Sequence, residues 1–549
     1  MSRSGEATAG TLAPAGRAFA LSPAWALRLA VGLLAATGLF ALLAFRHYGI
    51  SNDEEVQHVY GRLLLDFYTS GFEDHSAFAY KNLYLYGGLF DLIAAGLERL
   101  FPAMNVWDLR HLLSASFGLG GALGAWLLAR RLAGEWAGLG ALVLLLATGA
   151  WTGAMFTHTK DVPFAAAMVW SLYFTVRVLE SQPRPALRDV LGLGFALGCA
   201  FGLRVGAVFA VFYLGVGLLA WAWMGAADLR SRGGLLLRAV WGLWPAVLLA
   251  FALMALCWPW SVMAPQNLYT AMTTFSHFSF QLTTILDGEV MKNGDVPGTY
   301  LAHYLLVRLP ELFLIGIGLA ALAGVRALPA LLTSAEARRA ALRWLPVVLA
   351  AAFPLAYTLL AAPPLYNGIR HFTFLLPPLA VLGGVGLVAA WRWAQPWPRG
   401  RLLAAGACAV LALGHAINLA RLHPYEYVAY NSLAGGLHGT QDNWEQDYWA
   451  ATVKELVGDL RTRVSREGGQ TRPYLVAVCA EPLQAAAWLD ARFQVTTDWR
   501  AADFFISPTH MNCHTAMQGR IVGEVVRDGV ELGVLRDRRW LADDERTPR

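Results

Sequence analysis

Two neighbouring carboxylates follow the first long apolar segment of the chain. Asp53 and Glu54 stand about eight residues beyond that segment, in the run SNDEEVQHVYG. Carboxylates in such a position can act as a general base for a hydroxyl group or hold a divalent cation. An acidic helix N-terminus exposed to solvent is the alternative interpretation, because negative charge is favoured there. The residue types alone leave both interpretations open.

A second polar run, THTKDVPF, contains His158, Lys160 and Asp161. Lys and His side chains suit a phosphate oxygen, and a carboxylate beside them can orient them or accept a hydrogen bond from a sugar hydroxyl. Asp161 before Val-Pro is also a good helix N-cap. The N-cap interpretation explains Asp161 but not Lys160, so both interpretations stay open here.

A third run, YNGIRHFTFLLPPL, places Arg370 and His371 at the start of an apolar segment, and Arg204 interrupts another. Such arginines can also extend along an apolar surface towards water. Taken together, the basic residues of these runs predict one cationic pocket opposite Asp53 that fits a lipid-linked phosphate. The predicted phosphate-binding residues are Lys81, His158, Lys160, Arg204, Arg370 and His371.

The composition explains which elements must position these residues. Of 549 residues, 56% are hydrophobic and 15% are charged, whereas soluble domains carry roughly 25% charged residues. The charges are concentrated after residue 420, where 129 positions hold 33 of them. This pattern argues against a soluble enzyme, a disordered protein and a nucleic-acid-binding protein. It predicts a membrane part, 24–420, followed by a soluble part, 421–549.

Membrane-spanning helices need about 20 mainly apolar residues, and the sequence predicts about eleven of them. The segment 83–100 is also apolar, but Asp91, Glu98 and Arg99 break it, so we expect an amphipathic helix along the interface. The predicted spans lie near 24–45, 107–129, 135–156, 162–180, 189–203, 205–225, 239–258, 300–325, 344–362, 371–391 and 402–420.

Arginines fix the expected direction of the chain, because basic residues favour cytoplasmic loops. They concentrate in every second connection, for example at Arg130 and Arg131. This predicts a cytoplasmic N-terminal tail, 1–23. The long loops 46–106 and 259–299 and the soluble part are then expected outside.

The soluble part is predicted to be a small α/β domain. PYLVAVCA and ADFFISP have the pattern of buried strands, WEQDYWAATVKELVGDL that of a helix, and VGEVVRDGVELGVLRD that of a hairpin around Asp528 and Gly529. Tyr425 and its aromatic neighbours suit a membrane–water boundary. Cys479 and Cys513 allow a disulfide in an oxidising compartment.

The order and sidedness of these runs resemble a known family. The Asp-Glu pair in a long first outer loop, the KDVPF and RHFTFLLPPL runs and the external C-terminal domain are similar to GT-C membrane glycosyltransferases. The similar branch contains protein O-mannosyltransferases and aminoarabinose transferases. The stretch HPYEYVAYNSLAGG and the following DYW are similar to bacterial members.

The resemblance implies a function and a set of catalytic residues. It implies transfer of a sugar from a polyprenyl-phosphate donor to an acceptor at the outer face of the cytoplasmic (inner) membrane. It assigns catalytic positions to Asp53, Glu54 and Asp161. A divalent cation is possible because relatives differ in metal use, and no other cofactor is implied. The acceptor (protein, lipid or glycan) stays open. A polytopic transporter, or a membrane scaffold with an external partner-binding domain, is the alternative.

Overall fold

The computed structural model is mainly helical and describes residues 22–276, 282–467 and 472–541. The predicted tail 1–23 thus lies outside the described residues except for its last two positions. The helices up to residue 422 are α1 (Pro23–Ala44), α2 (Glu54–Thr69), α3 (Leu89–Leu100), α4 (Val106–Ala133), α5 (Glu135–Leu146), α6 (Gly149–Thr152), α7 (Ala154–Thr157), α8 (Asp161–Glu180), α9 (Leu187–Phe201), α10 (Val208–Gly225), α11 (Leu229–Trp241), α12 (Trp244–Cys257), α13 (Trp260–Met263), α14 (Asn267–Ser276), α15 (Tyr300–Arg308), α16 (Glu311–Thr333), α17 (Ala335–Ala341), α18 (Leu345–Ala361), α19 (Leu376–Trp393) and α20 (Pro398–Leu422).

Membrane-crossing segments account for most of these helices. Within the described ranges, eight helical segments are long and apolar enough to cross a membrane, or up to ten when each of two bent helix pairs counts as one span. The bent pairs are α5 with α6 and α7, at 76°, and α11 with α12, at 46°. The predicted polytopic helical fold is confirmed. The predicted number of eleven spans is not, because the segment 189–203 forms a helix of only 15 residues, α9.

The short helix α9 nevertheless runs from one end of the bundle to the other. It follows Glu180 at the end of α8, and Arg204 just beyond it pairs with Asp161 at the start of α8. Fifteen helical residues extend about 22 Å, less than the ~30 Å thickness of a hydrocarbon core. The helix therefore lies where the fifth span was predicted, but it is too short to cross a hydrocarbon core by itself.

Pro310 divides the predicted span 300–325. Proline has no N–H for the helical ladder and drives the residue before it into an extended conformation. Leu309 accordingly has ψ 134°, α15 ends before it, and α16 begins at Glu311. Only α16 is a candidate span.

The Arg-rich connections meet at one end of the bundle. Arg131 in the last turn of α4 lies 2.6 Å from Glu180 at the end of α8, and Arg343 before α18 lies 3.6 Å from the same carboxylate. These residues come from connections that the sequence places on one side. Their contacts support that grouping.

The opposite end carries the C-terminal part of the chain. His47, just after α1, has its Nδ1 2.7 Å from Nε2 of His423, just after α20. Tyr48 donates a hydrogen bond to Glu426, and Lys454 donates to the Tyr48 carbonyl. Both α1 and α20 therefore end beside the C-terminal domain.

The segment 83–100 forms a short 3-10 turn, Leu83–Leu85, followed by α3. Neither is a candidate span, as predicted for an interfacial helix. Asp91 of α3 is buried and accepts a hydrogen bond of 2.9 Å from Arg110 of α4. The charge that interrupts the apolar pattern is thus neutralised inside the protein.

Outside the helical bundle lie a two-stranded hairpin and a five-stranded sheet. The sheet order is β4-β3-β5-β7-β6, with β3 parallel to β4 and β5, and the other pairs antiparallel. The strands are β1 (Thr283–Leu286), β2 (Glu289–Lys292), β3 (Tyr474–Val478), β4 (Phe493–Val495), β5 (Phe504–Pro508), β6 (Arg520–Arg527) and β7 (Val530–Asp537), and the helices of this part are α21 (Gly436–Gly439), α22 (Val453–Glu467) and α23 (Pro482–Ala486). Asp528 and Gly529 both have positive φ at the β6–β7 turn, which suits a two-residue hairpin.

The C-terminal part contains a disulfide, a helix that starts later than predicted and a group of buried tyrosines. Cys479 and Cys513 are joined by a disulfide. The helix predicted from residue 444 begins only at Val453, because the Asp447 side chain accepts hydrogen bonds from the amides of Ala451 and Thr452 in a non-helical turn. Tyr425 and its neighbours do not form a lipid-facing aromatic belt at the membrane boundary, since these tyrosines are buried inside the protein.

Arg308 explains that burial. Its guanidinium donates hydrogen bonds to the carbonyls of Tyr427, Ala429 and Glu445, and it lies 3.7 Å from the ring centre of Tyr430. One buried side chain thereby fastens the aromatic segment to α15 and holds the C-terminal domain against the membrane part.

Candidate active site

Four separate stretches of the chain meet at the end of the bundle that carries the C-terminal domain. They are the start of α2, the link before α8, the link between α9 and α10, and the 3-10 turn Arg370–Leu375 that precedes α19. Each stretch lies where a helix begins or ends. The polar side chains of the four stretches therefore lie together at one end of the helical bundle.

Asp53 is the exposed carboxylate of this cluster. It occupies the N-cap position of α2, but its side chain caps no backbone N–H. It is 44% exposed, and one carboxylate oxygen lies 3.4 Å from Nη1 of Arg370. The carboxylate therefore faces solvent while a buried cation holds it in place.

Arg370 is held on several sides. Its side chain is only 8% exposed, and its guanidinium lies 4.5 Å from the ring centre of Trp449 and 5.0 Å from that of Tyr366. Nε donates to Nε2 of His371 at 3.3 Å, and Nη2 donates to the Tyr366 hydroxyl at 3.2 Å. The interpretation that Arg370 merely extends towards lipid headgroups is therefore excluded.

Asp161 and Arg204 form the second ion pair of the site. Asp161 is 5% exposed and accepts a hydrogen bond from Nη2 of Arg204. No side chain caps the start of α8, so Asp161 does not act as the N-cap suggested by its position before Val-Pro. The Arg204 Nε has no hydrogen-bond partner among the residues that the structure describes. This N–H is itself buried.

Lys160 completes the cationic side of the site. It is buried, and its Nζ lies 4.2 Å from the ring centre of Tyr86. Burial lowers the pKa of Lys160 to about 8, although the negative charges of Asp91 and Asp53 oppose this shift. With Lys160 protonated, three cations face the two carboxylates Asp53 and Asp161. These five side chains form the front of the site and carry one net positive charge, while Asp91 behind them is paired with Arg110.

Glu54 faces away from this front. Its side chain is fully buried, and Oε1 accepts hydrogen bonds from the amide and hydroxyl of Ser51 at 2.9 and 3.0 Å. His111 and Arg110 lie behind it, at 3.3 and 4.0 Å. The predicted neighbour of the base is thus a buried carboxylate that fixes the loop carrying Asp53.

His158 is also turned away from the predicted phosphate pocket. Its Nε2 accepts a hydrogen bond from the Trp449 indole N–H at 2.9 Å and lies 2.8 Å from the Tyr448 hydroxyl. Burial and the charge of Arg370 hold the pKa of His158 well below its usual value. A neutral imidazole that accepts at Nε2 cannot donate there to a phosphate. His158 instead fastens the DYW run to the membrane part.

Lys81 lies apart from the cluster. It is exposed, and its recorded contact is with the ring of Tyr80, 5.8 Å from Nζ. The structure thus brings together Asp53, Lys160, Asp161, Arg204, Arg370 and His371. It does not bring Lys81 to them.

Sequence reasoning missed the buried layer behind Asp53. Arg110 and His111 lie against Glu54 there, and Asp91 pairs with Arg110 and interacts with the charge of Lys160. A charge inside an otherwise apolar segment is a sign of function or pairing, so Asp91 and Arg110 were detectable as a pair of such charges. Tyr448 and Trp449 were detectable only as part of the DYW run.

Metal binding has no evident ligand set in this part of the molecule. Among the described residues, no group of three or more His, Cys, Asp or Glu side chains is arranged to hold a metal ion. Asp53 and Asp161 each have a guanidinium as counter-ion. The described side chains therefore do not by themselves supply three or more ligands for a metal ion.

Comparison with known proteins agrees with the predicted resemblance. Residues 89–260 match the dolichyl-phosphate-mannose-protein mannosyltransferase family. This stretch includes Lys160, Asp161 and Arg204, and it confirms the resemblance to that branch of glycosyltransferases. A comparison with curated proteins finds no match.

Solved structures with a similar arrangement are distant in sequence. ArnT from Cupriavidus metallidurans bound to undecaprenyl phosphate has 15% identity and a TM-score of 0.48, over 94% of this chain and 98% of that chain. AglB from Archaeoglobus fulgidus, in complex with an inhibitory peptide and a dolichol-phosphate, has 11% identity and a TM-score of 0.47, over 88% of this chain and 69% of that chain. We therefore base the functional assignment on the matched stretch and on the site itself.

Proposed function

We propose that this protein transfers a sugar from a polyprenyl-phosphate donor to an acceptor at the outer face of the cytoplasmic membrane. The observation that carries the proposal is the exposed carboxylate of Asp53 beside the buried cations Arg370 and Lys160 and the half-buried cation Arg204. The family that matches residues 89–260 is named for a sugar carried on dolichyl phosphate. A sugar phosphodiester brings one negative charge, which balances the surplus positive charge of the front of the site.

The proposed reaction is a single displacement. The acceptor hydroxyl attacks the anomeric carbon, the new C–O bond forms, and the bond from that carbon to the phosphate oxygen breaks. Asp53 takes the hydroxyl proton. The leaving polyprenyl phosphate is already an anion, so Arg204, Arg370 and Lys160 need only stabilise its growing charge. The configuration of the sugar carbon is expected to invert.

The same arrangement gives each carboxylate a different role. Asp161 is buried and paired with Arg204, so we assign it to positioning that cation. Asp53 is the more exposed of the two and can meet an acceptor arriving from outside. A donor phosphate bound to Arg370 would weaken the ion pair between Arg370 and Asp53. The Asp53 carboxylate would then accept a proton more readily.

A transporter explains these features less well. It would need ionisable residues in the middle of the membrane along a pathway, whereas the present cluster lies where helices begin and end. Incubation of the purified protein with labelled polyprenyl-phosphate sugars distinguishes the two, since only the enzyme separates sugar from lipid.

The proposed sidedness gives the first prediction. We expect a reporter fused after Gly225 to show a cytoplasmic location and one fused after Gly436 to show an exterior location. The physical reason is the concentration of Arg in the connections at one end of the bundle. Compartment-specific reporters, such as a phosphatase active outside and a fluorescent protein active inside, measure this. A cytoplasmic signal after Gly436 would reverse the proposed location of the site.

Lys160 gives a pH prediction. Because its pKa is about 8, Lys160 is charged at pH 7 and mostly neutral at pH 9, while a phosphodiester stays ionised throughout. Donor affinity is therefore expected to fall about tenfold between these values, following the protonated fraction of the lysine. Titration of a polyprenyl-phosphate sugar against the purified protein at several pH values measures it.

The matched variants are Lys160→Arg and Lys160→Gln. The first keeps its charge at pH 9 and should lose the pH dependence while retaining donor binding. The second should bind weakly at every pH. A wild-type affinity that is constant from pH 7 to 9 would remove Lys160 from the phosphate site.

A further inference from the structure

A polar cleft lies between the membrane part and the C-terminal domain, separate from the front of the site. Its volume is about 450 Å³. The β1–β2 hairpin forms one wall, the segment 441–446 forms the floor, and residues 509–514 with Glu531 form the other wall. The proposed transfer reaction does not use these residues.

Gln446 is the residue that points to a ligand. It is only 6% exposed and lines the cleft. Neither its amide oxygen nor its amide nitrogen has a hydrogen-bond partner among the described residues. Burying an amide group without hydrogen-bond partners lowers the stability of the folded protein. A ligand with both a donor and an acceptor group would satisfy it.

The residues on either side of Gln446, in contrast, both have hydrogen-bond partners for their side chains. The Glu445 carboxylate accepts a hydrogen bond of 2.6 Å from the Thr284 hydroxyl, and the Asp447 carboxylate accepts one of 2.7 Å from the Thr452 hydroxyl. The local backbone is therefore fixed by its polar neighbours, and the unpaired amide does not result from a loose segment.

Both walls of the cleft are also held in place. The Gly288 amide in the hairpin turn donates to the Asn443 carbonyl at 3.0 Å. On the other side, the disulfide between Cys479 and Cys513 fastens the turn that contains His510 and His514. A ligand thus meets a formed cleft.

The lining indicates the kind of ligand. Trp444 offers an aromatic surface, Gln446 an amide, Thr283 a hydroxyl, and Asp442 and Glu531 carboxylates. Aromatic and polar groups in this mixture suit a ring with many hydroxyl groups, which has an apolar face and both donors and acceptors. The described lining contains no Lys or Arg, so an anionic ligand such as a phosphate is poorly matched.

The cleft lies close to the reaction site along the chain. Gln446 and Trp449 are three positions apart, so their Cα atoms are at most about 11 Å apart even in a fully extended chain. The Trp449 ring in turn lies against Arg370, the partner of Asp53. This is the length scale of two or three sugar units.

We infer that the cleft holds a neutral saccharide unit of the acceptor, with its hydroxyl groups bound by Gln446. The inference rests on the proposed function, because it makes the acceptor a glycan. A peptide acceptor is the competing occupant, and it is included as an outcome of the test.

The test measures binding to immobilised probes. Full-length protein in lipid nanodiscs is applied to an array of neutral di- to tetrasaccharides and, in parallel, to an array of unglycosylated peptides. We expect the wild type to bind a subset of the saccharides. Gln446→Leu should weaken that binding about tenfold, the effect of losing two neutral hydrogen bonds. Thr283→Val should weaken it by a smaller factor.

Controls make each outcome decisive. Gln494→Leu removes an exposed glutamine of β4 and should bind as the wild type does. If Gln446→Leu fails to fold, the test rests on Thr283→Val, because this substitution replaces a hydroxyl with a methyl group of similar size. Equal saccharide binding by the wild type and the folded cleft variants, binding of peptides alone, or binding of neither probe would overturn the inference.

Polyprenyl-phosphate binding is measured on the same samples. The cleft variants should bind this lipid as the wild type does. If the wild type binds saccharides through Gln446 but does not bind the lipid, the cleft assignment stands and the proposed donor is wrong.

Discussion

Asp53→Asn is expected to lower the rate of sugar transfer about 10²–10⁴-fold, the usual range for loss of a general base. The amide keeps the shape of the carboxylate but cannot take the proton of the acceptor hydroxyl. Folding should be intact, because Asp53 is 44% exposed and caps no backbone N–H. Initial rates at saturating donor, together with the melting temperature of the purified variant, measure both effects.

Glu55→Gln is the matched control for this substitution. Glu55 lies on the same first turn of α2, and we assign it no part in the reaction. It should transfer sugar at nearly the wild-type rate. Near-wild-type turnover by Asp53→Asn would rule out its role as the base.

Arg370→Met is expected to weaken donor binding and turnover together. A charge-assisted hydrogen bond contributes about 1.5–3 kcal/mol, which corresponds to a loss of roughly 10-fold to 150-fold. Arg370→Lys should recover only part of this loss, because it keeps the charge but not the planar group that packs between Trp449 and Tyr366. Donor titrations give the affinity and the rate for each variant.

Arg62→Met provides the control for a lost arginine. Arg62 of α2 is ion-paired with Glu98 but is 57% exposed and lies outside the site. Its loss should leave transfer unchanged, since exposed ion pairs contribute little. Unchanged affinity and rate in both Arg370→Met and Lys160→Gln would contradict a phosphate site at these residues.

The sequence allowed much of the fold and part of the site to be predicted. Apolar length identified most of the spans, and Lys160, Arg204 and Arg370, which the sequence places at the ends of apolar segments, lie in one cluster in the structure. Such positions are informative because a charge at the edge of the membrane is costly without a partner.

Other features depend on contacts between distant residues and were not predictable from local pattern. His158 has the residue type of a phosphate ligand, yet it pairs with Tyr448, 290 positions away. Glu54 resembles Asp53 in type and position, but its burial depends on Ser51 and on His111 of α4. Neighbouring residues at a helix start face different directions, and only the packing of α2 determines which one meets solvent.

The late start of α22 has the same origin. The run from residue 444 has helical periodicity, but the Asp447 side chain binds the backbone of Ala451 and Thr452 and competes with the helix. Tertiary contacts of the DYW run with His158 and Arg370 then hold the turn.

Following the donor during the reaction tests the proposed sugar transfer most directly. Purified protein in nanodiscs is incubated with a set of polyprenyl-phosphate sugars, each labelled in the sugar, and with a cell-envelope extract as the source of acceptor. Free polyprenyl phosphate and labelled product are then measured together. We expect the wild type to convert at least one donor, releasing polyprenyl phosphate in step with labelled product, while Asp53→Asn and Arg370→Met convert it far more slowly. A wild type that leaves every donor intact, or an Asp53→Asn variant that converts donor equally fast, would contradict the proposal.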